Sequence, residues 1–129
     1  MPQQPTGVIL ISDDEPHIRH IVGSKLRAAG FTVLEANNGK DALALAIEHL
    51  PDLIVTDFQM PVMSGFEMSQ QLASNPETSE IPIILLTARG HKLTPTELAT
   101  ANIQVLVNKP FSPRELLETV REQLPLHTR

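Results

Sequence analysis

The eight residues Ile54-Val55-Thr56-Asp57-Phe58-Gln59-Met60-Pro61, IVTDFQMP, decide how the chain is read. An apolar, partly β-branched run ends on a carboxylate, and a Met-Pro pair follows. On its own, Asp57 has three readings: a turn residue closing a strand, a metal ligand or a nucleophile. The surrounding pattern narrows them. Upstream, GKDALALAIEHL (39–50) has the Ala/Leu content of a helix and Pro51 closes it, so DLIVTD (52–57) stands as a separate strand. Further out, the same alternation repeats. GVILIS (7–12), FTVLEA (31–36), IPIILLT (81–87) and IQVLVN (103–108) are short strand-like runs. Between them Pro16–Ala29 carries Ile18, Ile21, Val22 and Leu26 at helical spacing, with Gly30 placed just past the helix end. Residues 64–73 form a shorter helix. Thr94-Pro-Thr-Glu97 and Ser112-Pro-Arg-Glu115 read as capping boxes opening the last two helices.

The first, third and fourth strands are nearly continuous Val, Ile and Leu. Such strands are buried on both faces, as in a parallel sheet covered by helices. Five strand–helix units predict an α/β doubly wound (βα)5 domain, flavodoxin-like, over residues 7–124, with residues 1–6 and 125–129 as tails. The sheet order 2-1-3-4-5 is taken by analogy with other doubly wound domains.

Bulk properties exclude several classes. The chain has 129 residues, room for one domain, and no cysteine, so disulfides, zinc–thiolate sites and Cys nucleophiles are ruled out. The first residues, MPQQPTG, lack the basic and apolar regions of a signal peptide, and no apolar run reaches membrane-spanning length, which predicts a cytoplasmic protein with no membrane partner. A net charge of −5 without a basic block argues against nucleic acid as a partner. The five histidines lack metal-site spacing, and four Phe with no Trp or Tyr give no base-stacking surface.

In a doubly wound sheet, chemistry sits at the carboxyl ends of the strands. The first strand ends there in Ser12-Asp13-Asp14-Glu15, the third in Asp57, the fourth in Thr87 and the fifth in Asn108-Lys109-Pro110. Asp13, Asp14 and Asp57 gathered on one edge repel one another unless a cation intervenes. An all-oxygen donor set with few protein ligands suits Mg²⁺, with Mn²⁺ as a substitute. An ionised Asp57 is then a nucleophile toward phosphoryl groups. Lys109 and the Thr87 hydroxyl are placed to neutralise phosphoryl oxygens.

Four motifs in order, ILISDDEP (9–16), DLIVTDFQMPVMSG (52–65), PIILLTA (82–88) and VNKPFSPREL (107–116), make the chain resemble the receiver domain of two-component response regulators. The resemblance covers residues 7–124. It implies that Asp57 is phosphorylated, that Asp13, Asp14 and the Gln59 main-chain carbonyl join Asp57 in holding Mg²⁺, and that Thr87 is the switch hydroxyl. It also matches Lys109 to the family's lysine, Pro110 to the proline after it, whose preceding peptide bond is usually cis, and Pro61 and Gly65 to the turn after the phosphorylation site. Gln59 and Arg89 fall at the flanking positions that tune dephosphorylation. The implied donor is a histidine kinase or a histidine phosphotransfer protein. Because the chain stops at the fifth helix, the implied output is contact with a downstream protein, onward phosphotransfer or self-association as a homodimer, unless the chain is one domain of a larger protein. Two positions depart from the family pattern. Ser12 replaces an apolar residue, adding a hydroxyl near the acidic pocket or capping the first helix. Leu106 replaces the aromatic residue that usually moves with the switch hydroxyl.

Competing readings fit less well. A phosphatase of the haloacid dehalogenase type needs a second aspartate where Gln59 stands. A nucleotide-binding flavodoxin-like protein needs a phosphate-accepting first turn, and Asp13-Asp14-Glu15 repels phosphate. A degenerate receiver that binds partners without phosphorylation draws support from Leu106, while the complete acidic pocket argues for phosphorylation.

Overall fold

The computed structural model describes residues 7–88 and 93–124; the predicted tails and Arg89 lie outside the described residues. In chain order the elements are β1 (Val8–Ser12), α1 (Pro16–Ala28), β2 (Thr32–Ala36), α2 (Gly39–His49), β3 (Leu53–Asp57), α3 (Gly65–Ala73), β4 (Ile83–Ala88), α4 (Pro95–Ala99), β5 (Ile103–Lys109) and α5 (Pro113–Gln123). The strands form one parallel sheet in the order β2-β1-β3-β4-β5, the order expected by analogy with other doubly wound domains.

Successive residues of a strand face opposite sides, and each side has its own core. Ile9, Ile11, Leu53, Val55, Ile84 and Leu86 meet Val22 and Leu26 of α1 and Leu116, Leu117 and Val120 of α5. Leu10, Ile54, Ile83 and Leu85 meet Ala42 and Ala46 of α2 and Met68 and Leu72 of α3. All five residues of β3 are buried, the apolar Leu53-Ile54-Val55 and also the polar Thr56 and Asp57 at its end. Each such Ile, Leu or Val contributes roughly 1.5–3 kcal/mol by leaving water.

Two local expectations change. The strand predicted from Ile81 begins at Ile83 instead, because Pro82 has no N–H for the ladder and contributes only its carbonyl, which accepts from Ile54 N–H at 3.1 Å. At α5, Ser112 accepts from Glu115 N–H at 3.2 Å, but no return bond from Glu115 forms among the described residues, so this is half of a capping box. The box at Thr94 is complete. A second complete one, Ser64 with Glu67, opens α3 and was not anticipated from the sequence.

Two irregularities bear on the site. The β4–β5 register shifts between Ile83, opposite Ile103, and Ile84, opposite Val105, which leaves Gln104 as an extra residue in β5. Beyond this bulge Leu85 lies opposite Leu106 and Thr87 opposite Asn108. In the β3–α3 loop, Val62 takes φ +72° and Met63 N–H bonds the Pro61 carbonyl at 2.8 Å, a γ-turn of the rare positive-φ kind.

Candidate functional site

The parallel sheet delivers the tips of β1, β3, β4 and β5 to one edge. Asp13, just past β1, is fully buried, Asp57 at the end of β3 is 9 % exposed, and Asp14 is exposed. The three carboxylates bring ligand atoms within 4.8 Å of one another and could hold a metal ion. From β5, Lys109 Nζ reaches Asp57 Oδ1 at 3.2 Å, Asp13 Oδ2 at 3.3 Å and Glu15 Oε1 at 3.9 Å. Asp14, Glu15, Asp57, Phe58, Gln59, Ala88 and Lys109 line an open cleft of about 340 Å³.

Charge in this cluster is unbalanced. Burial, then the neighbouring Asp13 carboxylate, pushes the Asp57 carboxyl up to about 6, with Lys109 only partly offsetting them. Asp13 is likewise raised, mainly by burial, against the pull of Glu15 N–H and Lys109. Burial disfavours the Lys109 ammonium, but Asp13 and Asp57 together outweigh it and hold the lysine charged. One ammonium against three close carboxylates leaves net negative charge, the condition under which a hard divalent cation binds to oxygen ligands.

Asp13 is fixed at four points. Its N–H bonds the Ala36 carbonyl at 3.1 Å, and its Oδ1 accepts from Glu15 N–H at 2.9 Å. Its Oδ2 meets Lys109, and its carbonyl accepts from Arg19 Nη1 at 2.7 Å. Arg19 is itself held by Glu35, which also pairs with Arg27. This role for Arg19 was not legible in the sequence: the residue lies about one turn into α1, outside any motif. Asp13 and Asp14 do not cap α1; Glu15 occupies the N-cap without a side-chain bond. Ser12 does not cap it either. Its buried hydroxyl donates to Met60 Sδ at 3.0 Å and ties β1 to the loop after Asp57.

The remaining residues fall around this centre. Gln59 is exposed at the cleft, and Pro61 is exposed in the loop beyond it. Gly65 is required where it stands, since a Cβ there would collide with the Asp57 carbonyl. The Lys109-Pro110 peptide is cis. Thr87 is fully buried and its Oγ1 donates to Asn108 Oδ1 at 3.2 Å. Leu106 is half-buried and packs on the core shared with α2 and α3. Arg89 lies outside the described residues.

The family profile described as the response regulator receiver domain matches residues 9–121. The chain belongs to that family. It is a receiver domain of two-component systems, a class of signalling switches rather than classical enzymes, which take phosphate from histidine kinases. Among curated proteins it is 39 % identical over 116 residues to the phosphate regulon transcriptional regulatory protein PhoB of Pseudomonas aeruginosa, covering 90 % of this chain and 51 % of that protein. It is 32 % identical over 120 residues to the polar-differentiation response regulator DivK of Brucella anthropi, covering 93 % of this chain and 97 % of that one. The chemotaxis response regulator CheY4 of Vibrio cholerae superposes with a TM-score of 0.84 at 32 % identity, over 92 % of this chain and 98 % of that chain. The receiver spans about half the length of the first curated relatives it matches, 51 % of PhoB and 46 % of a probable transcriptional regulator of Porphyra purpurea, and nearly all of DivK. Among the described residues no helix is long and apolar enough to cross a membrane.

Proposed function

We propose that Asp57 is the phosphoryl acceptor of a switch working in the cytoplasm, built on residues 7–124. The supporting observation is the meeting of a nearly buried Asp57 with Lys109 at 3.2 Å, beside Asp13 and Asp14, at the mouth of a cleft. A carboxylate oxygen of Asp57 attacks the phosphorus of a phosphohistidine on a kinase or phosphotransfer protein. An acyl O–P bond forms, the P–N bond breaks, and the electron pair leaves on the imidazole, which takes up a proton. Lys109 holds Asp57 ionised and meets the negative charge of the incoming group. Asp13, Asp14, Asp57 and the Gln59 main-chain carbonyl are the residues that would hold Mg²⁺ or Mn²⁺. When bound, the ion supplies positive charge for the phosphoryl oxygens and relieves the carboxylate repulsion. Thr87 donates its hydroxyl to a phosphoryl oxygen. Water attack on phosphorus later returns the carboxylate and inorganic phosphate, with Gln59 and Arg89 setting water access. The changed surface is read by a downstream protein or a second copy of the chain.

Incubation with Mg²⁺ and acetyl phosphate followed by intact mass tests this. A phosphate-mass adduct present in the wild type and lost in Asp57→Asn is expected. Its absence from the wild type refutes the reading and favours a receiver that binds partners without phosphorylation.

A further inference from the structure

A threonine hydroxyl has a single proton to donate. In this receiver the fully buried Thr87 gives it to the side-chain carbonyl of Asn108 at 3.2 Å. The pairing is a product of the β5 bulge. Continuing the register from Ile83 opposite Ile103 would set Thr87 against Val107; the extra residue at Gln104 sets it against Asn108 instead. Alternation then puts Asn108 on the same face of β5 as Leu106, two residues back, and Leu106 has no polar atom to exchange with Thr87.

We propose that Asn108 is the positioning residue of the Thr87 switch: its side-chain carbonyl and a phosphoryl group on Asp57 compete for the same hydroxyl proton, so phosphorylation breaks the Thr87–Asn108 bond and frees the Asn108 amide on β5. This rests on Asp57 being phosphorylated. The energetics favour such an exchange. A buried hydroxyl left without a partner is costly, so Asn108 keeps Thr87 satisfied in the resting state. A charged phosphoryl oxygen is an acceptor roughly twice as strong as an amide carbonyl, so it takes the proton once present. Asn108 is exposed, and water satisfies its amide after release. The exchange is therefore reversible, and Asn108 sets its threshold. The signal leaves through a polar group at 108 where the family uses an aromatic ring at the position of Leu106.

The test measures the initial rate of adduct formation with acetyl phosphate and Mg²⁺ by intact mass. It compares wild type, Asn108→Leu, Thr87→Ala and the double variant, with Asp57→Asn as the blank. Leucine matches the shape of asparagine and removes the acceptor. Asn108→Leu is expected to be phosphorylated roughly fivefold faster, the scale of one neutral hydrogen bond, and to have no effect in the Thr87→Ala background. A merely structural residue would slow the reaction or act regardless of Thr87. Equal or slower phosphorylation of Asn108→Leu, or the same acceleration without the Thr87 hydroxyl, overturns the assignment while leaving phosphorylation itself intact. Failure of the wild type to form an Asp57-dependent adduct removes the underlying reading instead. If Asn108→Leu does not fold, by circular dichroism, Asn108→Val serves with the same expectations.

Discussion

Replacing Asp57 by asparagine should make the metal-free protein more stable at neutral pH. The side chain is only 12 % exposed, and its carboxyl titrates at about 6 in the fold against 3.8 when unperturbed. At about 1.4 kcal/mol per tenfold change in proton affinity, ionised Asp57 weakens the fold by roughly 3 kcal/mol. This is a large share of the ~5–15 kcal/mol that holds a domain together. Because the folded value is the raised one, the stability associated with Asp57 is fully present below about 3.8 and is lost as pH rises through about 6. Asparagine keeps the shape and an acceptor for Lys109, which also retains Asp13 at 3.3 Å. In EDTA at pH 7.5, Asp57→Asn should gain roughly 2–3 kcal/mol in urea unfolding at unchanged slope. Near pH 4 the gain should shrink to below about 1 kcal/mol. Mg²⁺ should close the gap by stabilising the wild type more. Far-UV circular dichroism is the probe, since the chain has no Trp or Tyr. A wild type as stable as the variant in EDTA at pH 7.5 would refute the electrostatic account.

Three further outcomes are expected. Val62→Gly removes a β-branched side chain from φ +72° at 77 % exposure, so thermal or urea unfolding should show a gain of about 1 kcal/mol. Gly65→Ala drives a Cβ into the Asp57 carbonyl; the loop must shift, with a loss of roughly 2 kcal/mol in stability and of most adduct formation. Arg19→Ala leaves the Asp13 carbonyl without its 2.7 Å donor, and calorimetry should show Mg²⁺ affinity falling roughly tenfold with the fold intact.

The sheet and its edge were legible because burial on both faces writes itself into β1, β3 and β4 as unbroken apolar runs, and a carboxylate or lysine at the end of such a run stands out. What stayed hidden depends on register and on side-chain reach. Nothing in IQVLVN announces a bulge at Gln104, yet that residue decides that Asn108 rather than Val107 faces Thr87. Arg19 reaches the Asp13 carbonyl while pairing with Glu35 on β2, contacts between separate elements. Ser12 bonds a thioether, an acceptor too weak to anticipate from residue type. The places of Gln59 and Pro110 came from family resemblance, not from periodicity.

The loop after Asp57 is pinned along its length. Phe58 N–H bonds the Leu86 carbonyl at 2.8 Å, Gly65 N–H bonds the Phe58 carbonyl at 2.8 Å, and Gly39 N–H from α2 bonds the Met63 carbonyl at 3.0 Å. On the other flank β5 is less enclosed: past Ile103 every residue of it is exposed or only partly buried. The backbone is thus pinned by hydrogen bonds on one side of Asp57 and less enclosed on the other. Were Asp57 phosphorylated as proposed, the pinned loop would hold its side of the carboxylate in place, and β5, which carries Asn108, would be the side left to rearrange.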